Sequence, residues 1–171
     1  MSIKPLGHRH GCRNVLALLA LLALVSGALI AASAGSASGA QVTRGDFHAF
    51  AAGAALDISG HAQMVRDAGG TTIVTIHVAG LVPGRAYASH VHKLPCGVTN
   101  ADGHFQQVPG AGSTPPNEIW LGGGPFSPNG GGIANENATA LYTANSDAVS
   151  VVVHDLTLPA ANNRVACADL S

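Results

Sequence analysis

Charge is what this sequence has least of. Only 10% of its 171 residues are Asp, Glu, Lys or Arg, and the formal net charge is -1. So neutral a chain offers no basic surface to nucleic acid and no long-range field to an anionic polymer. Sparse charge and the lack of an apolar repeat at helical spacing also speak against long helices. No internal repeat is visible. Glycine, at 22 residues, and alanine are plentiful. They suit short strands joined by long loops, and the length suits one domain.

The first 40 residues stand apart. Lys4, Arg9 and Arg13 make a basic start, Val15 to Ala32 runs apolar except for Ser26 and Gly27, and small residues follow from Ser33 to Ala40. Basic, then apolar, then small is the order of a secretory signal peptide, with removal after Ala40 preferred to Ala34. The alternative is an uncleaved anchor, because the run is near the ~18 residues that span a bilayer. No cysteine directly follows the run, so a lipid anchor is not expected. The arginines are separated, so no twin-arginine signal is present. Residues 41–171 are then one exported domain, secreted or placed in the periplasm or cell envelope.

Cys12 goes with the leader, which leaves Cys96 and Cys167. An even pair in an exported chain points to one disulfide, closing a loop of about 70 residues. The alternative is two buried thiols.

Strand signals are short and bounded by turns. Leu56 to Arg66 alternates loosely. Thr71 to Val78 is β-branched and alternating, between Gly69-Gly70 and Gly80. A turn at Val82-Pro83-Gly84 leads to a strand over Arg85 to His92. From Lys93 to Ile133 the chain is poor in apolar residues and rich in Gly, Pro and Asn; connections this long are usually functional or disordered. Ala138 to Thr143, Val149 to His154 and Arg164 to Leu170 read as further strands, with a turn at Asn145-Ser146-Asp147. The pattern predicts an all-β sandwich or barrel.

Nine histidines are present. His8 and His10 fall in the leader. His48, His61 and His77 stand alone and are expected as ordinary surface or hydrogen-bonded residues. His90 and His92 differ, since side chains at i and i+2 of a strand share a face and can converge on one ion. His104 lies in the loop just beyond, and His154 ends another strand. Four imidazoles without a thiolate favour Cu(II).

Four segments together carry a resemblance. They are Gly80-Leu81-Val82-Pro83-Gly84 followed by His90-Val91-His92, then Gly103-His104-Phe105, then Val151-Val152-Val153-His154-Asp155, then Arg164-Val165-Ala166-Cys167. In this order they resemble the Cu/Zn superoxide dismutases, over residues ~54–170. The resemblance implies an eight-stranded Greek-key β-barrel, one copper held by His90, His92, His104 and His154, and a disulfide between Cys96 and Cys167. It places Arg164 beside the metal, where a cation attracts superoxide.

The departures matter as much. No His lies between His104 and His154, and no Asp lies from Phe105 to Ser146. The family's zinc ligands are missing, so zinc is not expected. The segment from His154 to Arg164 is short and carries one acid, Asp155. Both features resemble the copper-only branch, in which a glutamate supports the histidine that otherwise bridges the two metals. Glu118, in Asn117-Glu118-Ile119-Trp120-Leu121, is the expected equivalent. Glu136, beside a predicted strand, ranks below it, and Trp120 is expected to pack and anchor the loop.

The activity implied is dismutation of superoxide to dioxygen and hydrogen peroxide, with Arg164, His104 and Glu118 as the working side chains. A copper-binding domain for storage or delivery is the competing reading, and a barrel whose site has decayed is a third. Arg164, the scarcity of sulfur ligands for Cu(I) and the retention of all four histidines favour the enzyme. Oligomeric state stays open.

Overall fold

The computed structural model describes residues 39–171. The leader, with its cleavage or anchoring, lies outside the described residues. Among them, no helix is long and apolar enough to cross a membrane.

Eight strands form two antiparallel sheets. They are β1 (Gln41–Asp46), β2 (His48–Ala49), β3 (Ser59–Arg66), β4 (Thr72–Ala79), β5 (Tyr87–His92), β6 (Ala134–Ala140), β7 (Ser150–Asp155) and β8 (Arg164–Asp169). One sheet has the order β1-β3-β4-β6, the other β2-β8-β7-β5. Only Phe47 separates β1 from β2, and the two pair with different sheets, so this stretch of chain seams them along one side. The β4–β5, β5–β6 and β6–β7 connections each pass from one sheet to the other, which is the Greek-key crossing expected of the fold.

Burial explains the layering. On β4, Thr72, Val74, Ile76 and Val78 point inward, and the residues between them face outward. Val74, Ile76 and Val78 meet Met64, Val91, Val151, Val153 and Val165 in one core. Period-two alternation is what one buried and one wet face require. β5 and β7 differ, being buried at every residue, because the long β5–β6 segment covers their outer face.

The strands depart from expectation in three places. β1 and β2 carry no clear alternation in sequence; pairing holds them, and β1 runs so close to the end of β8 that a Cβ on Gly45 would collide with the Asp169 carbonyl. β6 begins at Ala134 and ends at Ala140, rather than spanning Ala138 to Thr143. Its sequence, ANENATA, has little β-propensity, and register against β4 decides its extent. Arg66, 9% exposed, turns inward and donates to the carbonyls of Ala144 and Ala148 at 2.8 and 3.0 Å, fixing the β6–β7 turn.

Candidate metal centre

The long 93–133 segment is pinned at many points. Cys96 and Cys167 are joined by a disulfide, with Cα atoms 5.8 Å apart. The Cys96 amide donates to Asp169 at 2.8 Å and the Ser150 hydroxyl to the Leu94 carbonyl at 2.7 Å. Farther along, the segment returns twice to β5. The Phe105 amide donates to the Val91 carbonyl, and the Val91 amide to the Ile119 carbonyl. These returns set His104 against His92 and Trp120 against His90 as isolated bridges. Gly103, at φ +76°, makes the bend that delivers His104.

His90, His92, His104 and His154 come together. One ligand nitrogen from each lies within 4.8 Å of the others. The first two share a face of β5, and His154 projects from the neighbouring β7. A register shift between Val153 and His154 puts Arg164 of β8 opposite His154. Such a bulge re-aims side chains at the end of a strand.

Three of the four rings are oriented by an oxygen. His92 Nδ1 lies 2.6 Å from the Ala101 carbonyl, His104 Nδ1 2.7 Å from Glu118 Oε2, and His154 Nδ1 3.0 Å from Asn163 Oδ1. All three partners accept, so each ring carries its proton on Nδ1 and keeps a bare lone pair on Nε2. His92 Nε2 and His154 Nε2 face each other at 3.3 Å. Two lone pairs at that distance repel unless a cation lies between them. Nitrogens bound to one ion at 2.0–2.1 Å stand about 3 Å apart. His90 is 7% exposed and neither of its nitrogens has a partner in the protein. A buried imidazole without partners is costly unless something ligates it. The donor set and its spacing therefore fit a metal ion.

Electrostatics keep His90, His92 and His154 neutral. Burial, reinforced by neighbouring imidazoles, pushes His90 down to about 3 and His92 to about 2. Burial likewise takes His154 to about 4, against the opposing pull of Asn163. Neutral imidazole is the form that binds metal.

Glu118 is 3% exposed. Burial alone raises a carboxyl's pKa, but donors from Trp120 Nε1 at 2.9 Å, Gln106 Nε2 at 3.0 Å and His104 outweigh it and hold Glu118 below its ordinary value. Trp120 thus does more than pack: it binds the same oxygen as His104, and its ring lies 4.6 Å from that of His90. Glu136 is on β6, away from these contacts. Arg164 is partly exposed and donates to the Asn100 carbonyl and to Asp102 Oδ1, both at 3.2 Å.

Sequence reasoning missed Ala101, Asn163, Asp102 and Gln106. Asn163, next to Arg164, was within reach of a search for histidine partners, and Asp102, two before His104, of a search for an acid that pairs with Arg164. Ala101 was not, because only its carbonyl acts. Thr99, Asn100 and Ala101 have φ of 45°, 54° and 54°, a left-handed turn of non-glycine residues. Such backbone costs on the order of 1 kcal/mol per residue. Here it aims consecutive carbonyls, Asn100 at Arg164 and Ala101 at His92.

The fold is that of the superoxide dismutases. A variant of superoxide dismutase 5 from Candida albicans matches with a TM-score of 0.52 at 17% identity, over 78% of this chain and 92% of that one. A second variant of the same protein matches with a TM-score of 0.51 at 20% identity, over 76% and 90%. No protein-family profile matches the chain, and no curated protein matches its sequence.

Proposed function

We propose that this chain is a copper-dependent superoxide dismutase without a zinc site, acting outside the cytoplasm. The observation that carries this reading is the pair of facing lone pairs on His92 and His154, ringed by His90 and His104, with Arg164 opposite His154. Copper, when bound, supplies one-electron chemistry: one superoxide gives up an electron and leaves as dioxygen, and a second takes an electron and two protons to become hydrogen peroxide.

The protein's part follows from its side chains. Arg164 gives a small anion a positive target at the mouth, which Asp102 partly offsets. His90, His92 and His154 are buried and hold their positions. His104 is the more open ring, with 29% of its side chain exposed. Its Nε2 is the atom that takes and releases a proton, while Glu118 holds Nδ1. With Nδ1 committed to a carboxylate, His104 has no second nitrogen for another ion, which supports the zinc-less reading. The disulfide suits an oxidising compartment.

The test is metal content and superoxide dismutation of residues 41–171, oxidised and offered copper and zinc together. The expected result is one copper, no zinc and copper-dependent activity. Arg164→Ala should keep copper and lose about tenfold or more in rate at low salt. Glu118→Gln should slow turnover mainly at high pH. Tight zinc beside copper overturns the zinc-less reading. Tight copper without dismutation makes the chain a copper-binding protein instead.

A further inference from the structure

On the far side of the molecule, His61 of β3 and His77 of β4 are directly paired across the strands. Both project from the outer face of the β1-β3-β4-β6 sheet, which contributes none of the four clustered histidines. The two were expected to stand alone; hairpin register makes them neighbours, with ring centroids 5.8 Å apart and ring planes 33° from parallel. Pairs within the four-histidine cluster span 4.4 to 6.3 Å by the same measure, so these two rings are as close as rings whose nitrogens converge there.

The row continues on both sides. Asn135 of β6 is opposite His77, and Asp46 of β1 is opposite His61, so the four residues share one face in the order Asp46, His61, His77, Asn135. His77 Nδ1 donates to Asn135 Oδ1 at 2.8 Å. That bond fixes the tautomer and leaves Nε2 as a lone pair. The same device orients His92, His104 and His154 at the buried centre. An oxygen holding the second nitrogen is what metal-binding histidines usually have. A surface histidine does not need it.

We propose that His61 and His77 form a second, solvent-exposed site for a divalent late-transition ion, with water completing the shell. Two imidazoles with water oxygens suit Cu(II), which such donors bind more tightly than zinc or nickel. The site holds metal and is independent of the reading given to the buried centre.

The test is a titration of oxidised residues 41–171 with Cu2+, following histidine ring signals by NMR. Expected is a second equivalent that broadens His61 and His77 together, after the ring signals of His90, His92, His104 and His154 have already been lost. His61→Gln and His77→Gln should each abolish the second equivalent and leave the first unchanged. Both side chains are on an outer face, so neither change disturbs the core. Asn135→Ala should weaken the second site about tenfold, and Asn135→Asp should restore it. Binding of a second equivalent that leaves His61 and His77 sharp, its survival in the double glutamine variant, or no second equivalent at all overturns the proposal. If the first equivalent fails to reach the four clustered histidines while His61 and His77 respond, the buried-centre reading falls and this one stands.

Discussion

On β4 burial alternates residue by residue, and the outward positions carry Ile73, Thr75 and His77; on β5 and β7 every residue is buried, polar ones included. The first sheet has one wet face. In the second, β5 and β7 are enclosed, by core on one side and by the 93–133 segment on the other. Enclosure is what changes the chemistry. His90, His92 and His154 are held far below the ordinary histidine pKa of ~6.5 because water is kept from them. A strand covered by its own loop can supply a dry centre; one that faces water can supply only a solvated one.

The largest effect expected from this contrast is acid sensitivity of the metal-free protein. In the folded chain the three enclosed rings stay neutral until pH about 4 or below, whereas in the unfolded chain they take up protons below ~6.5. The unfolded state therefore binds more protons across that window, and stability falls as pH drops from ~6.5 toward 4. Each ring contributes about 1.4 kcal/mol per pH unit, so three give on the order of 4 kcal/mol per unit at most. Denaturant midpoints of the metal-free chain should fall steeply between pH 6.5 and 5, and a flat profile would mean that the rings are not enclosed in solution.

Next in size is the staple that keeps the cover in place. Cys96 and Cys167 are separated by 71 positions. Closing a loop of that length stabilises by about 4 kcal/mol in the chain-entropy model. Replacing both cysteines with serine should lower stability by about that much at neutral pH. It should also raise the hydrogen exchange of the Lys93 and Phe105 amides, which tie the cover to itself and to β5. Loss of stability with those amides still protected would show that backbone bonding holds the cover unaided.

The smallest effect belongs to the wet face. Thr75→Ala, on an exposed position of β4, should change stability by no more than about 0.5 kcal/mol and leave metal content unaltered. A larger loss in a melting experiment would indicate that this face is covered in solution and that the comparison between the sheets has been drawn too sharply.

Much of the centre was legible because it rests on short-range rules. His90 and His92 are two apart on a strand, which is enough to place them on one face. Arg164 and Glu118 were singled out by the resemblance to a known family and by no local rule. β3, β4, β5, β7 and β8 were readable from β-branched runs and glycine punctuation. β1, β2 and the true extent of β6 were not, because their alanine, asparagine and glycine residues have weak preferences that pairing overrides.

The residues by themselves determined which side chains can ligate and which strand positions share a face, since strand periodicity and side-chain chemistry are local. Only the tertiary structure decided which oxygens hold Nδ1 of His92 and His154 and that two lone pairs face each other at 3.3 Å. It alone set His61 beside His77. Those facts depend on register, on a left-handed turn at residues 99–101 and on a loop folded back over its own strand. Each is fixed by contacts between segments far apart in the chain, and no local pattern encodes them.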